Sequence, residues 1–248
     1  MQPSFFPKST FCVFALCLLF ANPSLYAAPK TVLLKKTADK TDQKIEYPQG
    51  FSDKKVDEAV QALIKDIQAR PCPPDQTIEP TKQATPGLKK PVTPGKASAS
   101  KQQRDLYVDY AIKYQKKAAV SLLFNISTYV KGAAHPCNSV RTLNFLQGKP
   151  ISLSELFLPK VDFLAKLATI CKSTLSKKDI STPEWLASGT KPTSENYSRW
   201  YWVDEGLVIV FDTYQVAAYV YGPQAVFIPK QAINEFLRPN MAELIWEQ

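Results

Sequence analysis

The sequence predicts an α+β fold: an antiparallel sheet of about five to seven strands with two main helices. Two observations indicate this class. Segments that alternate apolar and polar residues dominate the middle of the chain, and two segments elsewhere carry apolar residues at three- and four-residue spacing. Strands and helices are therefore segregated along the chain instead of alternating, which is typical of α+β domains.

The first 27 residues have the order of a secretory signal peptide. Lys8 is the only charge before residue 30, the apolar run Phe11–Ala21 follows it, and Asn22-Pro23 and Ala27 end the segment. The run has 11 residues, whereas a bilayer span needs roughly 20. We expect cleavage near Ala27, which makes the protein secreted or periplasmic, with an uncleaved anchor as the alternative. No transmembrane helix is expected in the mature chain.

Residues 31–47 predict two short strands, or one strand and an extended approach. An amphipathic helix follows over about residues 53–69, because its apolar residues recur at helical spacing and Ser52 is placed to cap it. These residues are Val56, Val60, Leu63, Ile64 and Ile67. Arg70-Pro71 ends the helix.

The segment 71–100 predicts a disordered loop rich in proline and lysine. It carries seven prolines and almost no large apolar residue, so it cannot bury enough surface to offset the entropy of ordering. Because the mature chain before it is too short for a core of its own, we interpret residues 28–248 as a single domain that contains this loop.

The remaining elements follow from alternation and period. We predict strands over residues 106–115, 120–130, 140–146, 200–203, 207–213 and 225–228, and helices over residues 161–175 and 231–237. A short helical turn is expected before Phe157 and another at residues 183–186.

The net charge of +9 is concentrated locally. Nine Lys or Arg and two acids lie between Lys82 and Lys117. A basic tract of this kind binds polyanions or forms a solvated loop. A secreted protein seldom meets nucleic acid, so no nucleic-acid partner is expected.

Three cysteines remain after the signal peptide: Cys72, Cys137 and Cys171. In an oxidising compartment two of them can pair, and the sequence does not choose between the three pairings. With no Cys-x-x-Cys and a single histidine, no metal site is expected, and the absence of a phosphate-binding glycine loop leaves no expected cofactor.

Candidate catalytic groups are few, and we expect no enzyme. His135 is the only histidine and lies two residues before Cys137, but no third group is evident that would orient a Cys–His pair. Asp204 and Glu205 are adjacent in a turn and diverge, whereas a carboxylate pair needs a set separation to act on a glycosidic bond.

Aromatic residues are the candidate binding groups. Their faces stack on sugar rings and anchor protein partners, although core packing is the ordinary use of such residues. The candidates are Trp200, Tyr201, Trp202, Tyr214, Tyr219 and Tyr221, together with His135.

Two stretches carry a resemblance to a known family. Gly132-Ala-Ala-His-Pro136, Leu143-Asn-Phe145 and Gly148 to Phe157 follow one family pattern, and Phe211 to Pro229 follows a second in register. The chain resembles, over residues 31–238, the extracellular domain of the anti-sigma factor RsiV, which also stands beside the catalytic domain of the peptidoglycan deacetylase PdaC. Ala133, Ala218 and Val220 depart from the patterns.

The resemblance implies an extracytoplasmic α+β domain of a bacterial envelope without established catalysis. We therefore expect a non-catalytic binding domain for peptidoglycan, another wall glycan or a wall-directed protein such as lysozyme. A wall-acting hydrolase and a structural envelope protein are the alternatives.

Overall fold

The computed structural model describes residues 28–38, 41–70, 103–116 and 118–247. Within these ranges the strands are β1 (Lys30–Ala38), β2 (Thr41–Gln49), β3 (Arg104–Gln115), β4 (Ala119–Val130), β5 (Cys137–Leu146), β6 (Lys149–Pro150), β7 (Trp200–Val203), β8 (Gly206–Phe211) and β9 (Gln224–Pro229). The α-helices are α1 (Lys54–Ala69), α2 (Phe163–Leu175), α3 (Pro183–Gly189) and α4 (Met241–Trp246). The α+β class is confirmed. The predicted signal peptide and the loop 71–100 lie outside the described residues.

The strands form two sheets where the sequence predicted one. Six strands pair in the order β1-β2-β3-β4-β5-β6, and three pair in the order β7-β8-β9. The six-stranded sheet also contains one parallel pair, β2 with β3. A parallel pair needs a crossover connection, and α1 lies between β2 and β3 in the chain.

Helix α1 covers one face of the six-stranded sheet. Its buried residues Val56, Val60, Ile64 and Ile67 pack against sheet residues such as Ile45. The helix begins where the Asp53 side chain accepts a hydrogen bond from the Lys55 amide, as an N-cap residue does. The other face of the sheet is thereby left for the second half of the chain.

The three-stranded sheet packs on that second face. Leu123 and Val140 of the large sheet contact Val208 and Val210 of β8. Behind the small sheet lies the larger core, which contains Trp202 and the buried residues of α2 and α4. No helix in the described ranges is long and apolar enough to span a membrane.

Two side chains that flank the small sheet, one directly before β7 and one directly after β8, close the open edge of β5, which β6 pairs only at Phe145 and Leu146. The Val140 amide donates to Asp212 Oδ1 at 3.0 Å, and the Val140 carbonyl accepts from Arg199 Nε at 2.9 Å. A carboxylate and a guanidinium therefore stand in for the missing neighbour strand.

The last predicted helix is displaced. Residues 230–236 form two short 3₁₀ turns, and the α-helix comes later as α4. The Phe236 carbonyl accepts a hydrogen bond from the Leu158 amide, and Leu237 bridges to Phe157. These bonds to a distant segment take the place of a continued helical ladder, which explains why the helix predicted for residues 231–237 does not form.

Two glycines of the small sheet are explained by their surroundings. At the β7–β8 turn, a Cβ on Gly206 would lie 2.1 Å from the Ile228 carbonyl oxygen. Gly222, before β9, has a φ of +61°, which L side chains rarely adopt.

Candidate functional site

A groove of about 310 Å³ lies on the face of the large sheet that carries the small sheet. Leu123 and Val140 of this face are covered by β8, and Asn125, two residues beyond Leu123 on the same face, is exposed. The sheet groove, as we call it, is lined by Lys44, Glu46, Tyr107, Val108, Asp109, Asn125, Ile126, Ser127, Asn138, Ser139, Val140 and Pro223.

Strand register aligns a row of polar groups across the floor of the groove. Lys44 of β2 pairs with Tyr107 of β3, Tyr107 pairs with Ser127 of β4, and Ser127 pairs with Asn138 of β5. Four strands thus contribute one residue each to a continuous line. Such an arrangement presents hydrogen-bonding groups at the spacing of neighbouring strands, roughly 5 Å.

Charged groups of the groove are partly paired within it. Lys44 Nζ lies 2.8 Å from Glu46 Oε1, and this hydrogen bond and charge raise the pKa of Lys44. Asn125 Nδ2 donates to Asp109 Oδ1 at 2.6 Å. The lining therefore holds one cation and two carboxylates, in a chain whose net charge is +9.

Aromatic side chains form a wall at the β5 end of the row. The ring of Tyr219 stacks on His135 with 4.1 Å between centroids, and its hydroxyl accepts from Asn138 Nδ2 at 2.8 Å. Burial, and then the nearby Tyr214, raise the pKa of Tyr219. Tyr214, at a φ of +67°, is held by Trp185 Nε1, which donates to its carbonyl at 2.9 Å.

Both ring nitrogens of His135 are hydrogen-bonded at this wall. Its Nδ1 lies 2.8 Å from the Pro136 carbonyl oxygen, so the neutral ring carries its proton on Nδ1 and donates there. Nε2 then accepts from the Tyr214 hydroxyl at 3.2 Å. Cys137 is disulfide-bonded, so it cannot serve as the nucleophile of a Cys–His pair.

One segment of the chain matches a known protein family. Residues 154–231 match DUF3298, a protein family of unknown function. Two solved structures share the fold at 14% sequence identity. One, a DUF3298 family member from Bacteroides fragilis, has a TM-score of 0.56, and the match covers 90% of this chain and 99% of that one. The other, from Pseudomonas aeruginosa, has a TM-score of 0.58 and covers 86% and 94%.

A curated relative is also similar in sequence. The peptidoglycan-N-acetylmuramic acid deacetylase PdaC of Bacillus subtilis is 35% identical over 140 residues, which is 55% of this chain and 30% of the relative. The chain thus spans less than a third of the length of PdaC.

The matched residues 154–231 supply Tyr214 and Tyr219 of the aromatic wall, but they do not expose all of the predicted binding residues. Trp200 and Trp202 are only 2% and 0% exposed, and their rings pack edge to face with centroids 5.1 Å apart. The two indoles therefore form no exposed aromatic patch, although Trp200 borders a cavity of about 300 Å³. Tyr201 is half-buried beside Lys113.

Three of the predicted binding residues lie in contact with one another, and a fourth lies close to them in the sequence. His135, Tyr214 and Tyr219 form the wall. Tyr221 follows on the same short turn, with 47% of its side chain exposed. The floor residues were missed, because alternation along β3 and β4 showed which residues share a face and left open whether another element covers that face.

In the described ranges, no three His, Cys, Asp or Glu residues are placed to hold a metal ion together.

The cysteines predict one disulfide pairing. Cys171 is free and buried, and burial raises the pKa of its thiol to about 12. Since Cys12 and Cys17 lie in the segment expected to be cleaved, we predict that Cys137 pairs with Cys72. Peptide mapping of the protein under non-reducing conditions should recover a Cys72–Cys137 cross-linked peptide and an alkylated Cys171. A Cys137–Cys171 peptide would contradict this pairing.

Proposed function

We propose that this protein is a non-catalytic binding protein of the bacterial cell envelope and that the sheet groove holds a glycan strand of peptidoglycan. The observation that supports this most directly is the polar row Lys44-Tyr107-Ser127-Asn138, which ends at the aromatic wall. The likeness to PdaC, whose name gives peptidoglycan as its substrate, supports the choice of ligand.

The chemistry of the groove suits a sugar chain. Sugars present many hydroxyl groups at their edges and apolar C–H groups on their faces. The floor offers carboxylate, amide and hydroxyl partners, and Tyr107, 45% exposed, offers an aromatic face at the second position of the row. A small number of placed polar groups beside aromatic rings is the usual composition of a ligand site.

Binding without catalysis is favoured by the state of the reactive groups. His135 is hydrogen-bonded to Pro136 and Tyr214, and the sulfur of Cys137 is engaged in a disulfide. Asp212 is enclosed between Arg199 and the Val140 amide. Cys137 and Asp212 therefore hold the fold together, and both ring nitrogens of His135 are already hydrogen-bonded within the aromatic wall.

Charge favours a glycan over lysozyme as the partner. The chain carries +9, or +8 without Lys8, and lysozyme is basic, so the two repel at long range unless salt screens them. A lysozyme pull-down is therefore a useful comparison in the experiment below.

Co-sedimentation with purified, insoluble peptidoglycan tests the proposal. We expect the mature protein to sediment with the sacculi, and we expect Tyr219→Ala to weaken binding about tenfold because it removes the ring that ends the row. Phe227→Ala is the matched control, since Phe227 is an exposed aromatic of β9 that belongs neither to the polar row nor to the aromatic wall.

The proposal fails if the wild-type protein stays in the supernatant, or if Tyr219→Ala and Phe227→Ala bind equally well. Release of soluble wall fragments during the same incubation would instead indicate a wall-acting hydrolase.

A further inference from the structure

The charged residues that line the sheet groove indicate the charge of its ligand. Its charged lining consists of Lys44, Glu46 and Asp109, so it is net negative by one charge within a basic protein. Lys44 is bound to Glu46. The carboxylate of Asp109 has only the neutral amide of Asn125 as a hydrogen-bond partner within the described ranges.

The carboxylate of Asp109 is the charged acceptor at the centre of the groove. Asn125 uses Nδ2 to donate to Asp109 Oδ1, which leaves the Asn125 carbonyl oxygen and Asp109 Oδ2 as acceptors. Asn138 in turn uses Nδ2 on Tyr219. Each of these amide nitrogens keeps a second N–H. The neutral groups at this point therefore offer both donors and acceptors, and the Asp109 carboxylate adds a negative charge to them.

A ligand that covers these acceptors must supply donors. Asp109 is exposed in the free protein, so a ligand that covers its carboxylate without pairing it removes water at a cost in free energy. A cationic donor forms the stronger hydrogen bond with a carboxylate. A protonated amine meets both needs. An acetamido group at the same position brings one N–H, a carbonyl that competes for donors, and a methyl group that would cover the Asp109 carboxylate without pairing it.

We infer that the sheet groove binds amino sugars with a free amine in preference to their N-acetylated forms, through Asp109 and Asn125. This inference rests on the proposed function and specifies its ligand. Sugar chains of this kind arise by hydrolytic N-deacetylation, in which water cleaves the amide bond, acetate leaves and the amine remains on the sugar. The protein then recognises the product of such a reaction.

The overall charge of the chain opposes binding of a cationic sugar. A protein of net charge +9 repels a cationic oligosaccharide at long range. Tight binding of a cationic probe therefore requires a local acidic contact and does not follow from general attraction between opposite net charges.

Two oligosaccharide probes of equal length test the inference by calorimetry: a β-1,4-linked glucosamine hexamer and the corresponding N-acetylglucosamine hexamer. At a pH where the amines are protonated, we expect the glucosamine hexamer to bind about tenfold more tightly. Asp109→Asn should remove most of that preference while affinity for the acetylated hexamer changes little. Glu46→Gln is a second variant that should reduce the preference.

The control for charge is Glu58→Gln, which makes the same change at an exposed position of α1, on the opposite face of the sheet. It should leave both affinities unchanged. Thermal melts of all variants show whether each is folded before its binding is compared.

The outcomes separate the two claims. If the protein sediments with sacculi but binds the acetylated hexamer as tightly as the glucosamine hexamer, or more tightly, the amine preference is overturned and the binding function stands. If Asp109→Asn and Glu58→Gln reduce the preference equally, the contact with Asp109 is overturned. If neither sacculi nor either hexamer binds, the proposed function itself fails.

Discussion

Trp202→Ala is expected to lower the free energy of unfolding by about 3–5 kcal/mol. Trp202 is 0% exposed and packs between Trp200 and Tyr114, with ring centroids 5.1 and 6.3 Å away. Its removal leaves a cavity at the junction of the two sheets, where its own amide donates to Ser121 Oγ of β4 at 3.0 Å. Urea denaturation followed by far-UV circular dichroism measures the loss.

Trp202→Phe is the matched variant. Among the described residues, no acceptor lies within hydrogen-bond distance of Trp202 Nε1, so phenylalanine keeps most of the packing and removes an unpaired donor. We expect it to cost roughly 1–2 kcal/mol and to leave binding to sacculi unchanged. Unfolding of Trp202→Ala at the wild-type urea concentration, or loss of sacculus binding in folded Trp202→Phe, would contradict a purely structural role for this residue.

Arg199→Ala is expected to lower the free energy of unfolding by about 3–5 kcal/mol, because it leaves a buried carboxylate without its cation. Arg199 Nη2 lies 2.9 Å from Asp212 Oδ2, while Arg141 Nη1 is 3.9 Å away. The same substitution removes the Arg199 bond that closes the edge of β5 at Val140. Equilibrium denaturation at neutral pH measures the effect.

The control is the double variant Arg199→Ala with Asp212→Asn. The asparagine still accepts from the Val140 and Thr213 amides, which bond Asp212 Oδ1, and it carries no charge. We therefore expect the double variant to be more stable at neutral pH than Arg199→Ala alone. Equal stability would show that the unpaired charge is not the cause of the loss.

The pH dependence of this pair of variants has a definite sign. Burial raises the pKa of Asp212, although Arg199, the Thr213 amide, Arg141 and the Val140 amide favour its charged form. A raised folded-state pKa means that the folded protein binds the proton more tightly than the unfolded chain does. The charged carboxylate lowers the free energy of unfolding, and this destabilisation disappears as pH falls through the folded-state pKa. The stability gap between Arg199→Ala and the double variant should therefore narrow as pH is lowered from 7, and a widening gap would refute this account.

Much of the fold was accessible from local sequence. The period of Val56, Val60, Ile64 and Ile67 placed α1, and alternation placed β3, β4 and β5, because one-sided burial leaves a regular pattern along a single element. These features depend on residues within one segment.

The candidate site was accessible only in part. Pattern similarity and aromatic content pointed to Tyr214, Tyr219 and His135, and these side chains do meet. The same reasoning gave equal weight to Trp200 and Trp202, which are core residues. The sequence alone does not show whether a tryptophan is covered by a sheet or is open to a ligand.

The sequence by itself determined the α+β class, the positions of most strands and the main helices, because local hydrophobic periodicity fixes which face of each element is buried. The tertiary structure alone decided that the strands divide into two sheets and that Asp212 and Arg199 close the edge of β5. It also decided that Lys44, Tyr107, Ser127 and Asn138 form one row. That row depends on strand register, which is set by pairing between segments as distant in the chain as Lys44 and Tyr107, 63 positions apart. No local pattern records such pairing.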